Sequence, residues 1–118
     1  MLKAEMKPDW FEYPNEHLRV IDLKMTNLDP WFFLEGDQLE ERKKSMADRY
    51  PRAEIIPFAR RGDNDDVACW EKSGGNLKVY VVHDFSSNGW DKRQEFEDYW
   101  SWYRGAIQDM IEKERPYR

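Results

Sequence analysis

The side chains with chemical potential are few, and most fall within one stretch of about thirty residues. Asp63-Asn64-Asp65-Asp66 clusters carboxylates that could hold a hard cation. A calcium loop needs ligands at alternate positions, a glycine at the sixth and a glutamate at the twelfth. Counting from Asp63, those positions hold Ala68 and Gly74, so the motif fails and a polar turn built on Asx chemistry is favoured. Cys69 and His83 are the one thiol and imidazole pair suited to nucleophilic catalysis. His17 has no second metal ligand near it in sequence. Gly74-Gly75 is not followed by a helix, so it reads as a hairpin turn and not as a phosphate loop. The remaining acidic residues, including Glu40-Glu41, Glu95, Glu97 and Asp98, read as solvated helix faces. Trp90, in a polar loop beside Asn88 and Gly89, is a candidate anchor for a protein partner.

The hairpin that must position these groups follows by counting. If Gly74-Gly75 is a two-residue turn, Ser73 pairs with Asn76. Glu71 then faces Lys78, Trp70 faces Val79, Cys69 faces Tyr80, Val67 faces Val82 and Asp66 faces His83. Opposite charges and an aromatic against a β-branched residue fall opposite one another, which selects this register over a slip by one. In it, Cys69 and His83 lie three positions apart on opposite faces, about 10 Å at about 3.3 Å per residue. They form no dyad: Cys69 is expected to be a small buried hydrophobe, and His83 to pair with Asp66. Apolar residues on both strand faces place the hairpin centrally in its sheet.

Around this centre, residues 1–15 read as an irregular arm with Trp10, Phe11 and Tyr13 docked, because Pro8 and Pro14 deny it a regular helix. Leu18 to Lys24 is half-alternating and predicts a strand. Asn27 to Pro30 is a turn. Asp37 followed by Glu40 predicts a helix N-cap, with Leu39, Lys43, Met46 and Tyr50 on the inner face, Glu40, Glu41, Arg42, Lys44 and Asp48 outside, and a stop before Pro51. Glu54 to Phe58 predicts a further strand. Asp91 and Gln94 repeat the capping spacing. They predict a second helix with a core stripe of Phe96, Trp100, Tyr103, Ile107, Met110 and Ile111, and an adjacent stripe of Tyr99, Trp102 and Ala106. The fold class is α+β: a mostly antiparallel sheet of about four or more strands with two flanking helices, in a single domain over residues 1–118.

Composition bounds the function. The 118 residues suffice for one core, 40% are hydrophobic and 15% aromatic, and 36% are charged. A net charge of −5 with scattered Lys and Arg disfavours nucleic acid and favours basic protein partners. One cysteine allows no internal disulfide. No run of about 18 apolar residues suggests a membrane span, and the chain reads as soluble and cytoplasmic.

The strand Ile55-Ile56-Pro57-Phe58-Ala59, the turn at Gly62-Asp63, the strand with Val67-Ala68-Cys69-Trp70, the strand Val79-Tyr80-Val81-Val82-His83-Asp84 and the closing Phe96-Glu97-Asp98-Tyr99-Trp100 together resemble the SUKH superfamily. That superfamily includes bacterial immunity proteins and relatives of fungal cell-wall-synthesis regulators. The resemblance spans roughly Trp31 to Ile111, and it rests on the order of its motifs. The family opens with an amphipathic helix and a glycine-bearing segment, whereas the first 30 residues here read as an arm plus a strand. It shares no catalytic residues, so the resemblance implies no enzyme and no cofactor.

What it implies is a protein-binding module: an immunity protein that neutralises a toxin, such as a basic nuclease domain, by direct binding. The loops flanking the hairpin should emerge at one end of the sheet, which makes Asp63, Asn64, Asp65, Asp66, Asp84 and Trp90 the expected partner-binding surface. The alternatives are a regulatory scaffold in a larger complex and a carboxylate-dependent enzyme or metal binder.

Overall fold

The computed structural model describes residues 1–72, 77–84 and 91–114, with residues 91–93 in their backbone only. The turn at Gly74-Gly75, the loop from Phe85 to Gly89, and Trp90 lie outside the described residues. The elements run α1 (Asn15–Asp22), β1 (Asn27–Leu28), β2 (Trp31–Phe33), α2 (Gly36–Arg49), β3 (Ile55–Arg61), β4 (Asp66–Glu71), β5 (Lys78–His83), β6 (Asp91–Phe96) and α3 (Tyr99–Glu114). The six strands form one antiparallel sheet in sequence order, β1-β2-β3-β4-β5-β6. The fold is α+β, as expected. Among the described residues, no helix is long and apolar enough to cross a membrane.

The central pairing is the counted register: Asp66↔His83, Val67↔Val82, Ala68↔Val81, Cys69↔Tyr80, Trp70↔Val79 and Glu71↔Lys78. Period-2 alternation sends these strands into two cores. Ala68, Trp70, Val79 and Val81 join Phe58, Tyr99, Trp102 and Phe11 on one face. Val67, Cys69, Tyr80 and Val82 join Met46 of α2 and Tyr50, just past its end, on the other. The sheet is therefore a middle layer, with Met46 of α2 packed on one side and α1, α3 and the N-terminal arm on the other, where Leu39 from the first half of α2 also joins the core. Pro57 sits at a register shift in β3, where a missing N–H costs the ladder least. Across that shift, the consecutive residues Phe58 and Ala59 both enter the same core.

Two expectations fail, and each failure is a contest between local signal and tertiary pairing. Leu18 to Lys24 is not a strand, since α1 carries residues 15–22. Apolar residues at 18, 20, 21 and 23 suit either period, and the helix buries His17 and Val20 while leaving Leu18 and Leu23 exposed. Asp91 to Phe96 is not helical but the edge strand β6, paired along β5. Its sequence, Asp-Lys-Arg-Gln-Glu-Phe, has helical propensity yet suits a sheet edge, where charge discourages further pairing. The helix starts later: Asp98 accepts the Ser101 amide at 2.8 Å. That phase shift makes Tyr99, Trp102, Tyr103 and Ala106 the core face. Trp100 and Ile111, expected inside, are 39% and 43% exposed.

Elsewhere the reading is closer. Helix α2 begins at Gly36, one residue before the expected cap, and Asp37 lies in its first turn, where a carboxylate suits the helix dipole. Tyr50, before Pro51, leaves the helical region with φ −129° and ψ 67°. Trp31 to Phe33, assigned no element from the sequence, is strand β2. Phe11 of the arm is fully buried, with Trp10 and Tyr13 packed on the same core.

Candidate functional site

The acidic loop between β3 and β4 is exposed at Asp63, Asn64 and Asp65, and half-buried at Asp66. It is built rigidly. The Asp66 amide donates to Asn64 Oδ1 at 2.8 Å, closing an Asx turn. Arg61 forks onto Asp63 through Nε at 2.9 Å and Nη2 at 3.0 Å. That hydrogen-bonded guanidinium holds the Asp63 carboxyl below the usual carboxylate range. Arg61 Nη1 also reaches Asp109 on α3 at 3.2 Å, and the Trp31 indole donates to the same Asp109 oxygen at 3.0 Å. Among the described residues no cluster of His, Cys, Asp and Glu is arranged to hold a metal ion. His83 Nδ1 meets Asp66 Oδ1 at 3.2 Å, as the register requires.

Asp84, at the end of β5, does stand beside the acidic loop, because its amide donates to the Asp65 carbonyl at 2.9 Å; the loop that follows it lies outside the described residues. Asp84 itself, however, leaves the expected surface. Its side chain is fully buried. Arg42 Nη1 donates to Oδ2 at 2.8 Å, Arg49 forks onto both oxygens with Nε at 3.0 Å from Oδ1, and the Tyr50 hydroxyl donates to Oδ1 at 2.9 Å. A carboxylate taken wholly out of water is tolerated only with partners of this quality. On Arg49, burial pulls the pKa down, but the hydrogen bond and charge of Asp84 outweigh it, so the guanidinium is held more firmly protonated. Trp90, the last residue expected on this surface, is outside the described residues.

Arg42 and Arg49 were the residues that sequence reasoning missed. Arg42 falls on the outer face of α2 by helical periodicity, and nothing in the local pattern shows that β5 delivers a buried carboxylate beside it. The two arginines also line an open cleft of about 350 Å³ between α2 and the sheet, together with Leu34, Gln38, Glu41, Ser45 and Arg60 of β3. Arg60 rests its guanidinium over the Phe32 ring, 5.5 Å from the centroid.

The other two sequence candidates are structural. Cys69 is fully buried, its thiol 3.7 Å from the Tyr80 carbonyl. His17 is on α1, stacked between Tyr13 and Phe33 with centroids at 5.5 and 5.4 Å, edge-on to Trp70, and 2.9 Å through Nδ1 from the Tyr99 hydroxyl. Burial, assisted by the positive α-amino group of Met1, lowers its pKa to about 3, so it is a neutral ring inside an aromatic box.

Compared with known proteins, the chain matches no family model, no curated protein and no solved structure.

Proposed function

We propose that this chain is a non-enzymatic protein-binding module of the SUKH kind, an immunity protein that captures a basic toxin domain and covers its active site. The observation that carries the reading is the rigidity of the acidic loop. Asp63, Asn64 and Asp65 are exposed, yet the Arg61 fork holds the Asp63 carboxylate, the Asx turn holds the Asn64 side chain, and the strap from Asp84 holds the Asp65 backbone. A loop ordered before binding loses less entropy on capture, and clustered negative charge on a chain of net charge −5 accelerates encounter with a basic partner. Helix α1 adds support, since it supplies the opening amphipathic helix that the resemblance implies and that the sequence alone did not reveal. The binding surface is then Asp63, Asn64, Asp65 and Asp66, with Asp84 beneath it as a brace.

The test is a parallel pull-down from the source cell with the wild-type chain and an Asp63→Lys, Asp65→Lys variant, identified by mass spectrometry. A basic protein held only by the wild type, bound more slowly at higher salt and harmless when co-expressed with this chain, is the expected result. Identical captured proteins with both baits would sink the proposed surface.

A further inference from the structure

Three guanidinium groups converge on one cleft in a chain whose overall charge is negative. They come from two elements: Arg42 and Arg49, about two turns apart on α2, and Arg60 from β3. Such like charges repel, and the carboxylates beside them do not serve all three. Asp84 engages Arg42 and Arg49 from below, while Glu41 is exposed at the rim. Arg60 has no carboxylate partner among the described residues, and the contact that fixes it is the Phe32 ring.

We propose that this cleft binds an oxyanion, the phosphate or carboxylate group of a small ligand. A fork of guanidinium donors matches the planar or tetrahedral spread of oxyanion oxygens, and a lysine would not. Asp84 acts as a positioning residue: by holding Arg42 and Arg49 from the buried side, it sets their side chains before a ligand arrives. The Ser45 hydroxyl and the Gln38 amide add neutral donors to the lining, and Glu41 offers an acceptor for a hydroxyl or amine next to the anionic group. At about 350 Å³ the cleft falls at the small end of ligand sites. The site does not depend on the immunity reading, because it uses none of the exposed residues of the acidic loop.

The full chain, labelled for amide NMR, is titrated with sodium phosphate and separately with sodium succinate, each against sodium chloride at matched ionic strength and pH. Saturable shifts centred on Gln38, Ser45 and Arg60 are expected, with tighter phosphate binding assigning a phosphate ligand and tighter succinate binding a carboxylate. Arg60→Gln, which leaves the Asp84 network intact, should weaken binding about tenfold. Glu41→Gln, at the exposed rim, should tighten it several-fold. Shifts no different from those with chloride, or equal affinity in the wild type and Arg60→Gln, would overturn the site.

Discussion

At the residue scale, burial decides what each ionisable group does. His17 could have been a ligand or a base, yet stacking between Tyr13 and Phe33 removes it from water and lowers its pKa to about 3. In the unfolded chain the same ring titrates near the ordinary value of about 6.5. Between those values the unfolded state binds the extra proton, so stability is complete above about pH 6.5 and falls as pH drops towards 3. The expected slope is about 1.4 kcal/mol per pH unit within that window. Urea denaturation at pH 7.5 and 4.5 checks it against His17→Phe, which should lose about 2 to 3 kcal/mol less than the wild type over that interval. An identical pH dependence in the two proteins would contradict the buried neutral ring. Cys69 shows the same control by burial: its chemistry is set aside because the register places it inside the α2-side core.

At the element scale, caps and edges explain which local signals prevailed. Helix α1 ends in a Schellman motif, with the Met25 amide on the Val20 carbonyl and the Lys24 amide on the Ile21 carbonyl, both at 3.0 Å. The geometry puts Lys24 at φ 59°, a left-handed conformation that glycine adopts without penalty. Lys24→Gly is therefore expected to stabilise the protein by about 1 kcal/mol, read as a higher urea midpoint with an unchanged slope. A lower midpoint would show that the lysine side chain contributes more than its backbone costs. Strand β6 illustrates the converse. Its charged sequence favours a helix locally, but β5 presents a row of backbone donors and acceptors that only a strand can satisfy.

At the scale of the whole molecule, Asp84 links layers. It leaves the end of β5 and fastens α2 through Arg42, Arg49 and Tyr50, while its amide holds the acidic loop. Asp84→Asn keeps the shape but removes the charge, leaving two guanidinium groups without their buried counter-ion. A loss of about 3 to 5 kcal/mol is expected, measured by chemical denaturation. A variant as stable as the wild type would show that the network contributes little. Much of this architecture was legible beforehand: the antiparallel centre, the β4–β5 register, the α2 stop at Tyr50 and the His83–Asp66 pair all follow from counting, proline sterics and cross-strand complementarity. Those rules act between neighbours in sequence or across one tight turn, so the chain by itself determined them. Only the tertiary structure decided that Leu18 to Lys24 coils and that Asp91 to Phe96 pairs. It alone placed Asp84 inside and brought Arg42, Arg49 and Arg60 to one cleft. Each of these outcomes depends on a partner many residues away, and no local pattern carries the desolvation and pairing energies that such a partner supplies.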